Sequence, residues 1–369
     1  MNTTNRRYDI DWLRVLATGV IFLFHTARFF NDEDWHIKNN VTSYGASIFV
    51  TILNQWIMPL FFVLSALSIS YALAKRSNGQ YLSERFQRLL IPLVFGIFTL
   101  IPPQVYIERV SHAQFSGSFF QFLPHYFEGM YGFGGNFAWM GLHLWYLLML
   151  FLFCLLTLPL FRILLNNTRV ADALSFFHKT GAIFLLCIPI ILIEMLVNTQ
   201  PETIGRHDFG GWSIFSYLVI FMLGYLISLD SRFQATTARH AWPAIALGVL
   251  ATTGGFLAFE FFNLSDRDVV FAILRGFNTW AWLIAFMGLA ARYLNFSNKF
   301  LDYANEGTLP FYILHQSVIV IVAFFLANAP LGVPVKYLLL AITSFAIIMA
   351  LYEGLVKRAR VLRYLFGMK

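Results

Sequence analysis

Arg14 and His25 lie eleven residues apart within the apolar stretch DWLRVLATGVIFLFHTARFF, residues 11–30. At 100° per residue this spacing returns to within about 20° of the same helix face, and at 1.5 Å per residue it separates the two by about 16 Å. Asp11, Thr18 and Arg28 fall on the same polar stripe. A charge near a bilayer centre costs roughly 2.5–3.5 kcal/mol on insertion scales, so the stripe is expected to face a bundle interior or an aqueous cavity. Histidine suits general-base work, because its unperturbed pKa of about 6.5 lies near neutrality. A hydroxyl attacking a thioester needs a base of this kind. A buried histidine satisfied by a neighbouring helix has the same spacing, so the pattern alone leaves both readings open.

Other residues invite the same scrutiny. In YLSERFQRLLIPLVFG, residues 81–96, Arg85 and Arg88 stand at i, i+3 just before an apolar run. Guanidiniums grouped there offer a rigid fork of donors to a phosphorylated ligand, or serve only as membrane-flanking charges. GLHLWYLLML at 141–150 and LPFYILHQSVIV at 309–320 each put a histidine, His143 or His315, at or within a span beside Trp145 or Tyr312. His315 suits an oxyanion or an acceptor, or is a buried structural histidine, and Tyr312 on the same face shares that role or merely packs. His143 and Trp145 suit a sugar, although the sequence favours Trp145 slightly more as an interfacial anchor. Glu194, Glu260 and Arg275 fall in or beside spans and are expected to pair across helices, with no catalytic role assigned. Cys154 and Cys187 sit in apolar runs without CxxC spacing or clustered histidines, which supports neither a disulfide framework nor a metal site.

The elements that position these residues follow from composition. The 369 residues are 58% hydrophobic and 12% charged, with mean hydropathy +0.65. A soluble protein carries about 25% charged residues. The expected fold is therefore all-α, a polytopic integral membrane helix bundle in a single domain over residues 1–369. About ten spans are placed at 10–30, 45–74, 89–108, 143–165, 181–198, 212–229, 242–262, 269–291, 305–328 and 335–356. Most of the 26 Lys and Arg residues then fall on one side, which puts both termini in the cytoplasm. The charges cluster at helix ends rather than in one patch, against a nucleic-acid partner. The tail 357–369, with basic residues beside Leu362, Leu365 and Phe366, reads as an interfacial helix on anionic lipid. The segment FEGMYGFGGNFAWMG in the long loop 109–142 reads either as a sugar- or lipid-facing lid or as an aromatic belt.

Taken in order, these segments resemble the acyltransferase family 3 integral membrane proteins. The resemblance is carried by the Arg14-to-His25 spacing, RFQRLLIP, HLWYL and FYILHQ, with QWIMPLFFVLSA at 55–66 and FMLGYLIS at 221–228, and it runs over nearly the whole chain. Ala66 stands where that family usually has glycine, which puts close packing on the second helix in question. DIDWLRVLA, WHIKNN and IPPQVYIE look most like the branch of glucan biosynthesis protein C, associated with succinyl groups on periplasmic glucans. The resemblance implies a bacterial inner-membrane enzyme that passes an acyl group from cytoplasmic acyl-CoA to a carbohydrate or glucan hydroxyl, with no metal. His25 matches the family's essential histidine, Arg14 its partner arginine, and Arg85 and Arg88 its cytoplasmic arginine pair. A transporter or flippase of a lipid-linked or sugar substrate is the competing class, distinguished by its having no reason to break a thioester; a purely structural scaffold fits poorly.

Overall fold

The apolar runs fold as helices, and prolines decide where several of them bend. The computed structural model describes residues 6–128, 138–262 and 268–368. Among these there is no β-strand, only an isolated bridge between Phe209 and Trp212. The main helical segments are α1 (Tyr8–Arg28), α2 (Tyr44–Lys75), α3 (Asn78–Thr99), α4 (Ile101–Ser111), α5 (Leu142–Leu165) and α6 (Arg169–His178). They continue as α7 (Ala182–Asn198), α8 (Ile214–Ser228), α9 (Arg232–Phe262), α10 (Val269–Tyr293), α11 (Lys299–Leu326) and α12 (Val333–Val356). Seven are long and apolar enough to cross a membrane, and nine if the bent pairs α3/α4 and α6/α7 each form one span. The expected span 212–229 is the shorter apolar helix α8, 15 residues long. The chain is an all-α, multi-pass membrane protein. Of the segment FEGMYGFGGNFAWMG, residues 129–137 lie outside the described residues.

The expected span 89–108 is broken by 42° between α3 and α4. Pro102 and Pro103 follow the break and have no N–H to return to Phe98 and Thr99. Upstream in α3, the RFQRLLIP segment contains a π-helical turn, Phe86–Leu90, closed by the Ile91 N–H on the Phe86 carbonyl. Pro92 cannot donate to the Arg88 carbonyl four residues back, so the ladder shifts by one residue there. The α6/α7 pair bends by 116° around Gly181, whose φ of 79° lies in the left-handed region.

Two compact units emerge. One comprises Met1–Ala17, Ile52–Tyr81 and Leu155–Asp302. Within it α8 approaches α2 at Gly224, where a Cβ would fall 2.9 Å from both the Val63 carbonyl oxygen and the Ala66 methyl. Ala66 is fully buried. The glycine that close packing requires is thus supplied by the facing helix, and the alanine on α2 is accommodated. Gly224→Ala is expected to overpack this contact and lower stability by about 1–3 kcal/mol. The midpoint of thermal unfolding in detergent reads the loss. Gly254→Ala, at a helical position with nothing within 4 Å of the added Cβ, is the control that should not fall.

The same unit buries a charge pair. Glu194 on α7 is fully buried, accepts a hydrogen bond from the Ser216 hydroxyl and lies 3.6 Å from Arg275 Nε on α10. The Arg275 guanidinium also covers the Trp212 ring at 4.0 Å. Glu260, by contrast, is exposed.

The second unit comprises Thr18–Thr51, Leu82–Cys154 and Tyr303–Lys369. Its loop 29–43, between α1 and α2, is tied back by the Asn39 N–H on the Phe29 carbonyl (2.9 Å) and the Ser43 N–H on the Phe30 carbonyl (2.7 Å). Lys336, buried at the start of α12, donates to Asn39 Oδ1 at 2.7 Å and to the Ala327 carbonyl at 2.8 Å. Lys38 donates to the Arg28 carbonyl at 2.5 Å and to Asn31 Oδ1 at 2.8 Å; burial lowers its ammonium to about 8. The tail forms a short helix, Arg360–Leu365. Val361 and Tyr364 are exposed while Phe366 is buried against Phe95, with ring centroids 5.4 Å apart.

Candidate active site

α1 runs unbroken from Tyr8 to Arg28, so Arg14 and His25 share one helix as their spacing predicts. Its first turn carries Asp9 and Asp11 and its last turn His25 and Arg28, the charge order that complements the helix dipole. Around His25, residues far apart in sequence come together within one unit. The His315 ring from α11 lies 5.0 Å from the His25 ring. His143, at the start of α5, is 5.2 Å from His315 and perpendicular to it. Trp35, carried by the loop 29–43, stacks on His25 at 6.3 Å and 23°, and Phe24 meets it edge-on at 5.1 Å.

Hydrogen bonds to carbonyls decide which nitrogens face into this cluster. A carbonyl oxygen only accepts, so the nitrogen beside it carries the proton. His143 Nε2 lies 3.1 Å from the Ile313 carbonyl, and His315 Nδ1 lies 2.5 Å from the Tyr312 carbonyl. In the neutral rings His143 Nδ1 and His315 Nε2 therefore present lone pairs. Both are buried without a hydrogen-bond partner, as is His25 Nδ1. Buried polar atoms are rarely left so, which makes the three-histidine cluster a candidate ligand site. Tyr312 spends its hydroxyl on the His143 carbonyl, with the Tyr146 ring 6.0 Å away. Tyr312 thus braces the cluster, while Trp145 is half-buried two residues beyond His143.

The basic residues divide. Arg14 belongs to the other unit, where it donates to the Leu64 carbonyl at 3.1 Å and lies 3.4 Å from Asp11. It lines a cavity of about 290 Å³ together with Arg6, Arg7, Lys75, Tyr71 and Ser68. Positive-inside counting registered Arg6, Arg7 and Lys75 only as flanking charges. Their convergence on Arg14 needed the pairing of α1 with α2. Arg85 ends the first α-helical stretch of α3, and Arg88 stands exposed in the π-helical turn that follows.

A hydrogen-bonded chain beside the histidines also escaped sequence reasoning. It runs from Glu108 through His36, Gln316 and Gln104 to Ser317. The signal was present in two segments noted for their resemblance, WHIKNN and IPPQVYIE. In the second, Gln104 and Glu108 are one turn apart on α4. Among the described residues no group of three His, Cys, Asp or Glu side chains is arranged to hold a metal ion.

Comparison with curated proteins and with solved structures finds no match. A family model described as an acyltransferase domain, that of acyltransferase family 3, matches residues 7–353. That span takes in the polar stripe of α1, the three imidazoles and every helix from α1 to the last turn of α12, and on it the chain belongs to acyltransferase family 3 as a multi-pass membrane acyltransferase.

Proposed function

We propose that this acyltransferase moves an acetyl or succinyl group from acyl-CoA on the cytoplasmic face of a bacterial inner membrane to a hydroxyl of a cell-envelope carbohydrate or glucan. The observation that carries the proposal is the convergence of His25, His315 and His143 with a buried, unpartnered nitrogen on each. Lone pairs grouped in this way accept hydroxyl protons. His25 takes the proton of the acceptor hydroxyl as its oxygen attacks the thioester carbonyl carbon. The carbon–sulfur bond then breaks, and the proton returns from His25 to the departing thiolate, so charge and protons balance. His315 Nε2, a lone pair in the neutral ring, accepts from a second, neighbouring hydroxyl of the acceptor rather than serving an oxyanion, because the attacking hydroxyl gives its only proton to His25. His143 and Tyr312 brace that arrangement, and Trp145 and His143 border the acceptor. Direct transfer accounts for the residues present without a covalent acyl-enzyme.

The donor's phosphates rest on the basic cavity around Arg14; Arg85 and Arg88, which resemble the family's cytoplasmic arginine pair, are proposed separately as coenzyme A-binding residues. The pantetheine arm runs along α1, whose Arg14-to-His25 span of about 16 Å brings the thioester to the base. Lys75→Glu is expected to raise KM for acyl-CoA about fivefold and leave kcat near the wild-type value, because it reverses one charge facing the phosphates. Steady-state kinetics at two ionic strengths check this, and the difference should shrink at the higher one. His36 and Glu108 bring WHIKNN and IPPQVYIE, two of the segments that carry the likeness to the glucan-succinylating branch, into contact. Coenzyme A release by the purified protein in lipid tests the whole reading, with acetyl-CoA or succinyl-CoA and a crude glucan acceptor, wild type against His25→Ala. Equal release by both proteins would overturn it.

A further inference from the structure

A carboxylate–imidazole pair, Glu108 and His36, stands beside the three-histidine cluster and has no part in the transfer as proposed. Its side chains are only 20% and 11% exposed. The direction of its hydrogen bonds can be worked out from the far end. The Leu100 carbonyl accepts from Gln104 Nε2 at 3.2 Å and from the Ser317 hydroxyl at 3.0 Å. Gln104 Nε2 also donates to Ser317 Oγ at 2.7 Å, which leaves Gln104 Oε1 to accept from Gln316 Nε2 at 3.0 Å. The second N–H of Gln316 is then aimed at His36 Nε2, 3.0 Å away, which must accept. The His36 proton consequently sits on Nδ1 and is donated to the Glu108 carboxylate. Reversing any link would set oxygen against oxygen or N–H against N–H, so a single backbone carbonyl settles the tautomer of His36.

Among the described residues the cluster itself lacks an anion. The rings against His25 are those of Phe24, Trp35 and His315, and the bonded nitrogens of His143 and His315 meet only carbonyls. Arg28, one turn beyond His25, adds positive charge and is paired with Glu33. Asp32, Glu33 and Asp34 on the loop are exposed and engaged by Ser47, Arg28 and His112 respectively. A proton gained by His25 in this setting puts a cation into a low-dielectric site that has no direct counter-ion. His36 lies within electrostatic reach of both His25 and His143. The Trp35 ring packs on both His25 and His36, at 6.3 and 5.4 Å, and Gln316 directly follows His315 on α11.

We propose that Glu108, acting through His36, is the counter-charge of the histidine cluster, a positioning residue that stabilises the imidazolium formed when His25 takes the acceptor proton. This rests on the reading of His25 as the base. Glu108→Gln separates charge from shape, because the amide oxygen still accepts the His36 Nδ1–H while the negative charge is gone. With whichever of acetyl-CoA or succinyl-CoA the wild type turns over, kcat of Glu108→Gln is expected to fall about tenfold. KM for donor and for acceptor should hold, and the thermal unfolding midpoint should match wild type. Formate should restore part of the turnover of Glu108→Ala by supplying the missing carboxylate.

A wild-type kcat in Glu108→Gln would overturn the inference. So would a raised acceptor KM at unchanged kcat, which would make Glu108 an acceptor contact. His25→Gln, assayed alongside, keeps the two failures apart. If His25→Gln is inactive while Glu108→Gln is normal, only the counter-charge falls. If His25→Gln is active, or the wild type turns over neither donor, the base reading fails and the counter-charge with it.

Discussion

Coenzyme A release is expected to fall about 10²–10⁴-fold when His25 is replaced by alanine, the range that a positioned general base supplies. The fall should appear in kcat, with KM for acyl-CoA within about twofold of wild type, because the site proposed for the donor's phosphates, the basic cavity around Arg14, is about three helical turns away on α1. The variant should fold. His25 is half-buried and bonds no backbone group, and α1 holds its register through Thr26, whose hydroxyl donates to the Phe22 carbonyl at 2.9 Å, and through the loop bonds to Phe29 and Phe30. His25→Gln, which keeps a polar side chain of similar reach but no basic nitrogen, should be as impaired as His25→Ala. Thiol release measured in lipid, with unfolding midpoints recorded for each variant, checks both statements. Glutamine restoring turnover would show that bulk and hydrogen bonding, not basicity, are what position 25 contributes.

Arg275→Met is expected to destabilise the protein by about 3–5 kcal/mol, the cost of leaving a buried charge without its partner. Glu194 is fully buried. Without Arg275 it keeps only the Ser216 hydroxyl and His207, whose Nε2 is 3.9 Å away. The guanidinium also packs on Trp212, itself fully buried, so the variant loses a cation–π contact as well. Turnover per folded molecule should be unchanged, because neither side chain lines the basic cavity proposed for the donor and the three imidazoles belong to the other unit. Adding Glu194→Leu should recover much of the loss, since replacing a buried ion pair by apolar side chains is often close to neutral. Denaturant or thermal unfolding of both variants decides it. A double variant as unstable as the single one would locate the cost in packing around Trp212.

The transfer chemistry and the stability of this chain thus draw on the same rule in opposite ways. Glu194 and Arg275 satisfy each other, whereas the histidine cluster keeps nitrogens unsatisfied and places its anion one imidazole away. Around that cluster the loop 29–43 is held by neutral acceptors: Lys336 and Lys38 both bond carbonyl and amide oxygens rather than carboxylates. Trp35 and His36 are delivered to the site by this loop, so its rigidity sets the geometry of both.

Several features were legible in the amino-acid sequence alone. Runs of apolar residues long enough to cross a bilayer, and the 3.6-residue period that puts Arg14 and His25 on one helix, depend on hydrogen bonds between residues four apart. The bends were nearly legible too, since Pro92, Pro102 and Pro103 each remove a specific backbone donor. Tertiary structure alone decided the rest. It brought His143 and His315 to His25, set Gly224 against Ala66, paired Glu194 with Arg275 and joined Glu108 to His36. It also decided which imidazole nitrogens carry protons, because the carbonyls that hold them belong to particular turns of α11. Each of these depends on which helix faces meet, and a helix's own hydrogen bonds are indifferent to that. The choice is made by interlocking side chains from segments tens to hundreds of residues apart, so local pattern singled out the candidate residues and packing decided which of them meet.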